Sequence, residues 1–361
     1  MHDALERMRK SCTVITFGIA IVLLWLTPCG ARPHLHVVEY GSREDKIGAI
    51  LATGLDARNT PGAVTVTSDG AVWFRETFTW HPRIARFGAD GSFREFRDPY
   101  AGWQANPCEQ FDLCDPIPYT SGFTPLVARG TNVLFGPMHT RDSHVFMMSP
   151  TGQIHRVSAS GCIVAGPDIA CSPTSKVPIR FAPTYRSFRS YPTASIVPNS
   201  AVLGPDGNIW FTDTEHSLLG KVTIDGRPRV FTQGLTRWNS GPQLIAVGPD
   251  GNLWFTERRD RIGRITPSGQ ITEFSVGIPR RASLGGISAG PDGAMWFTLY
   301  HGMVVGRISM SGRITLYHDL VYPSDGHDFD PVAMIARDSH GRLYFNEGQA
   351  GRIARLTISP S

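Results

Sequence analysis

Acidic side chains recur at one point of a repeating pattern: Glu76 after VWFR, Asp213 after IWFT, Glu257 after LWFT and Glu347 after LYFN. Histidines stand in the stretches around them, at His81, His139, His144, His216 and His301, and one late segment adds His327 and Asp330. Carboxylates and imidazoles gathered at one mouth supply oxygen and nitrogen ligands for a divalent cation. They also supply proton-transfer groups, or hydrogen-bond partners for a polar ligand. Glu76, His81, His139, Asp213, Glu257 and His301 are therefore expected to contact a ligand. The plainer reading is that an acid after Trp-Phe-Thr belongs to the repeat and bonds a neighbouring loop or arginine, while a lone loop histidine is simply solvated. No Gly-x-Ser-x-Gly turn, phosphate loop or metalloprotease helix is present.

What must position these groups is a repeat, clearest in IAVGPDGNLWFTERRDRIGRITPSGQITEF, residues 245–274. Two alternating apolar runs flank Gly-Pro-Asp-Gly, and a second pair flanks Pro-Ser-Gly. Pro presets φ at the second turn position and Gly tolerates positive φ at the fourth. Four short antiparallel strands in about forty residues, repeated along a chain, describe a β-propeller blade. Further copies begin at AVTVTSDGAVWF, LVARGTNVLFGP, VLGPDGNIWFTD, ISAGPDGAMWFTL and MIARDSHGRLYFNE. Residues 158–192 are read as a degenerate blade in which CIVAGPDIACSP forms the first hairpin. The last copy has three strands, and HLHVVEY at 34–40 repeats the pattern of ITEF, so it is expected to supply the fourth. The expected fold is all-β: a seven-bladed propeller closed by an N-terminal strand. Strand alternation puts the Gly-Pro-Asp-Gly turns on one face and the loops after each second strand, with the loops leading into each blade, on the other. Trp73, Trp210, Trp254, Trp296 and Tyr344 hold one equivalent position and are expected to form inter-blade core.

The chain has 361 residues with 38 Gly and 27 Pro, a density that punctuates short strands rather than long helices. Its 35 Lys+Arg and 31 Asp+Glu are spread without blocks, which argues against a nucleic-acid surface. Arg7, Arg9 and Lys10 precede an apolar run of fourteen residues, Thr13–Leu26. That is short for a membrane span of roughly 20 residues and suits a signal peptide. Residues 1–31 are thus expected to be removed, leaving 32–361 as one propeller domain, periplasmic or secreted, a monomer with no membrane anchor. Cys108, Cys114, Cys162 and Cys171 then allow three disulfide pairings, the local ones being Cys108–Cys114, inside an insertion at 97–119, and Cys162–Cys171.

The segment WFTERRDRIGRITPSGQITEF resembles the virginiamycin B lyase (streptogramin lyase) family of seven-bladed propellers, most strongly over 193–320. The resemblance implies magnesium-assisted elimination that opens a cyclic depsipeptide ester, with histidine moving the proton. It places the two family histidines at Gly285 in LGGISAG and at Val332 in DPVAMIA, and a family Glu at Gly348, one residue after Glu347. His327, Asp330 and Glu347 lie on the blade where the family keeps its acids. They are the candidate catalytic group, with Asp330 and Glu347 the candidate Mg2+ carboxylates. Three functions follow. The first is a propeller binding a small molecule, peptide or protein on its funnel face; the second is a diverged lyase or lactone-opening hydrolase. The third is an interaction scaffold contacting a protein partner through 97–119.

Overall fold

In a computed structural model the chain is described over residues 34–40, 61–76, 83–97, 126–135, 145–158, 161–165, 168–172, 196, 198–223, 228–236, 241–258, 260–278, 283–299, 304–317, 332–347 and 352–359. Among these residues all regular structure is strand. The first sheet is β2 (Pro61–Val66), β3 (Val72–Glu76), β4 (Arg83–Phe87) and β5 (Phe93–Arg97), hydrogen-bonded in that order. The next is β6 (Leu126–Arg129), β7 (Asn132–Phe135), β8 (Val145–Met148) and β9 (Ile154–Val157). A two-stranded sheet follows, β10 (Cys162–Ala165) with β11 (Asp168–Cys171). Then come β12 (Ser200–Leu203), β13 (Ile209–Asp213), β14 (Leu218–Val222) and β15 (Pro228–Phe231). After them stand β16 (Pro242–Val247), β17 (Leu253–Glu257), β18 (Arg261–Ile265) and β19 (Ile271–Ser275), and then β20 (Leu284–Ala289), β21 (Met295–Leu299), β22 (Val305–Ile308) and β23 (Ile314–Tyr317). The last sheet combines β24 (Val332–Arg337), β25 (Leu343–Glu347) and β26 (Arg352–Ser359) with β1 (His34–Tyr40).

β1 pairs antiparallel with β26 from His34↔Ser359 to Tyr40↔Ile353. The N-terminal strand therefore completes the C-terminal blade and covers the open edge that β26 would otherwise present. The first strands of neighbouring sheets pack on one another: β24 on β2, β2 on β6, β12 on β16, β16 on β20 and β20 on β24. The expectation of seven four-stranded blades is corrected here: the described residues form six, with a hairpin between two of them. Within that hairpin the expected strand order also changes. β11, not β10, packs against both β6 and β12, so it takes the inner place. The cysteines at its ends, Cys162 and Cys171, face each other in register and form a disulfide. Cys108 and Cys114, the insertion and the signal segment lie outside the described residues.

Local chemistry explains why the repeat folds this way. In the turn after β16, the Gly248 amide donates to the Asn252 carbonyl at 2.8 Å and Gly251 takes φ 72°. Asp250 Oδ1 accepts from the Trp254 indole at 3.0 Å, so the turn also anchors the aromatic that begins the core. Asp206–Trp210 and Asp292–Trp296 repeat this at 3.0 Å. The four tryptophans are fully buried and Tyr344 nearly so, as their repeat position requires. Gly263 is needed for a different reason: a Cβ there would fall well inside contact distance of the Phe255 ring. The threonine of Trp-Phe-Thr ties blade to blade, Thr212 Oγ1 donating to the Gln243 carbonyl at 2.5 Å and Thr256 Oγ1 to the Gly285 carbonyl at 3.0 Å.

Candidate functional site

The second strand of each blade ends on the face opposite the Asp-Gly turns. Register places Glu76, Asp213, Glu257, Leu299 and Glu347 at equivalent strand ends. Their side chains do not share one fate. Asp213 is fully buried and serves its own loop: Oδ1 accepts from the His216 amide at 2.9 Å, and Oδ2 lies 2.7 Å from His216 Nδ1. Ser217, at φ 51°, completes this tight turn from β13 into β14. Asp213 and His216 thus form a loop cap, the plainer of the two readings of that acid.

Glu257 behaves differently. It is 1% exposed, and neither carboxyl oxygen has a hydrogen-bond partner among the described residues. It shares a sheet face with Phe255 and faces the preceding blade. There, Glu273 accepts from the Thr236 amide at 2.7 Å and from Thr236 Oγ1 at 2.5 Å. Arg261 donates to Glu273 at 2.8 Å and also to Thr236 Oγ1. The one guanidinium of this cluster is therefore occupied in an inter-blade clasp. Burial, with the negative charge of Glu273 beside it, pushes the Glu257 carboxyl up to about 9. At neutral pH Glu257 is a neutral acid sealed between blades.

One acid was missed by motif reading. Asp168, expected within a Gly-Pro-Asp turn, instead opens β11. Its Oδ2 accepts from Ser200 Oγ at 2.5 Å and from the Ala201 amide at 3.2 Å. Burial raises its pKa to about 7 against the pull of those bonds. Thr65 Oγ1 accepts from the Ala128 amide and Ser200 Oγ from the Ile245 amide in the same way, inner strand to inner strand. No single repeat position signals such an acid, since Thr65 lies opposite Trp73 and Ser200 opposite Thr212.

His81, His139, His144, His301, His327 and Asp330 lie outside the described residues, and of Glu76 and Glu347 only the backbone is described. Glu347 pairs with Val332 and Arg352 in the last sheet. Among the described residues no three His, Cys, Asp or Glu side chains converge to hold an ion. A loop-capping Asp213 and a protonated Glu257 are poor partners for a hard dication. The candidate Mg2+ carboxylates, Asp330 and Glu347, fall outside the described side chains, and no chemical step is routed through the ion.

Comparison with known proteins places the fold. A streptogramin B lyase structure superposes with a TM-score of 0.60 at 20% identity, covering 90% of this chain and 98% of that one. YCF48 bound to D1 peptide gives 0.53 at 8% identity, with 91% and 95% covered. The extracellular domain of a hybrid two-component system protein from B. thetaiotaomicron gives 0.52 at 12% identity, with 83% of this chain and 38% of that one covered. No curated protein sequence matches significantly. At these identities the structures speak for the propeller alone, but the profile of the virginiamycin B lyase family matches residues 147–361. More than half of the chain carries that pattern, and the chain belongs to the virginiamycin B lyase family.

Proposed function

We propose that this chain is an exported propeller that binds a small molecule or peptide on its funnel face without performing the family's ester elimination. The observation that carries the reading is Gly285. The resemblance assigns a proton-transferring histidine to that position, where this chain has a buried glycine whose carbonyl accepts from Thr256 Oγ1 at 3.0 Å. A residue without a side chain moves no proton, and its backbone is committed to joining two blades. Val332, at the second histidine position, likewise sits in the β24–β25 ladder opposite Glu347. Removing a general acid or base typically costs about 10²–10⁴-fold in rate. In this reading residues 158–192 make up a seventh, degenerate blade around the β10–β11 hairpin, and the Cys162–Cys171 disulfide suits an oxidising, exported setting.

The test is to incubate the mature protein with Mg2+ and a streptogramin B compound. Elimination opens the ring without changing its mass, so products are resolved by chromatography with tandem mass spectrometry, and binding is followed by ligand-observed NMR. The cyclic compound is expected to stay intact. A linear product that disappears on mutating His327, Asp330 or Glu347 would overturn the reading in favour of a diverged lyase or lactone-opening hydrolase.

A further inference from the structure

The β10–β11 hairpin is wedged between two complete blades and meets them with opposite faces. Cys162, Cys171 and Ile169 share the face that packs on Leu134 and Val145 of the β6–β9 blade. Ile163, Ala165 and Ala170 form the other, against Ala201 and Phe211 of the β12–β15 blade. Among the described residues this sheet has two strands where the others have four. Its ladder runs through four residue pairs, from Cys162↔Cys171 to Ala165↔Asp168, and the Ser172 amide extends it by donating to the Gly161 carbonyl at 2.9 Å. The disulfide pins the open end of that ladder. Both cysteines are half-buried rather than sealed, which is the setting of an exchangeable disulfide.

Asp168 stands at the other end of the ladder and ties the hairpin to its neighbours. Its Oδ2 accepts from Ser200 Oγ and from the Ala201 amide at the start of β12, and Ser200 Oγ accepts from the Ile245 amide of the blade beyond at 3.1 Å. Three sheets are thus joined by one line of bonds that begins at Asp168. The line depends on register. A one-residue slip turns a strand's side chains to its other face, which would carry Asp168 away from Ser200 and toward the β6–β9 blade. Cys162–Cys171 is the covalent bond that forbids the slip.

We propose that Cys162–Cys171 is a redox site that exchanges with a dithiol in the folded protein, and that its state reaches β12 and β16 through Asp168. One thiolate of the dithiol attacks a cysteine Sγ, the Sγ–Sγ bond breaks and a mixed disulfide forms. The second thiolate then displaces the protein sulfur. The dithiol ends as its own disulfide, having given up two electrons and two protons, which leave the cysteines as thiols. The bridge joins residues nine apart in sequence, so its loss returns little freedom to the unfolded chain and the four-stranded blades stay folded. What loosens is the hairpin register, and with it the hold of Asp168 on β12.

The experiment treats the full mature chain with dithiothreitol at about pH 8 without denaturant, quenches with an alkylating reagent and counts labels on the Cys162 and Cys171 peptides by mass spectrometry. Reduction should be first order in dithiol and at least about tenfold faster than global unfolding measured by a urea jump. Reduction that proceeds only at the unfolding rate, whatever the dithiol concentration, would overturn the proposal. In the reduced chain the Ala201 and Ile245 amides should exchange with solvent at least about tenfold faster. The Gly286 and Met334 amides, which donate to Thr298 Oγ1 and Asn346 Oδ1 in other blades, should keep their rates. An Ile245 amide that does not respond, or a reduced chain that unfolds altogether, would count against a local switch and end the case for it. In oxidised Asp168→Ala, or Ser200→Ala if the first does not fold, the Ile245 amide should already exchange fast and reduction should add nothing. A further tenfold rise on reduction would show that the signal does not run through Asp168.

Discussion

Glu257→Gln is the most informative single substitution, because it keeps the shape of a sealed side chain and removes its ionisation. The carboxyl has an ordinary value of 4.5 and is raised to about 9 in the fold. A raised acid makes its contribution below 4.5, where folded and unfolded chains are both protonated. That contribution is lost as pH rises, because between 4.5 and 9 only the folded chain holds the proton. The loss at pH 7 is 2.303RT times the interval from 4.5 to 7, about 3 kcal/mol. Glutamine does not titrate, so the variant should match the native protein near pH 4 and exceed it by about 3 kcal/mol at pH 7. The gap should widen by about 1.4 kcal/mol per pH unit until about pH 9. Urea unfolding from pH 4 to 9, with both proteins sharing one m-value, measures the difference directly. A stability difference that stays flat from pH 5 to 8 would refute the assignment of Glu257 as a buried neutral acid.

Two further perturbations test the scaffold. Gly263→Ala drives a methyl into the Phe255 ring. It should cost about 1–3 kcal/mol, read as a fall in melting temperature, whereas Ala at Gly251 should strain only a surface turn at φ 72°. Replacing Cys162 and Cys171 by serine frees a hairpin whose disulfide closes a short loop, and should cost about 2–3 kcal/mol. Amide exchange should then accelerate first in β10 and β11; acceleration spread evenly over all blades would show that the hairpin is no separate unit.

Much of this architecture was legible before any coordinates. The Gly-Pro-Asp-Gly turn and the alternation of IAV and LWF depend on residues a few positions apart. The completion of the last blade by 34–40 was legible too, since VVEY repeats the sequence pattern of ITEF. The hairpin at 162–171 was legible, but not that its second strand takes the inner place, where Asp168 bonds Ser200 of the next blade.

The fates of the acids needed the ring. Asp213 and Glu257 follow the same Trp-Phe-Thr and end equivalent strands, yet one caps a loop and the other is shut away uncharged. That divergence comes from what stands beside each acid: His216 in its own turn for Asp213, and for Glu257 the Glu273 of its own blade, whose oxygens are taken by Arg261 and by Thr236 of the preceding blade. Chain order determines strands, turns and the aromatic stripe because these are short-range properties of the backbone. How deeply an acid at a seam is buried is set by how separate blades pack, which is decided only when the ring closes.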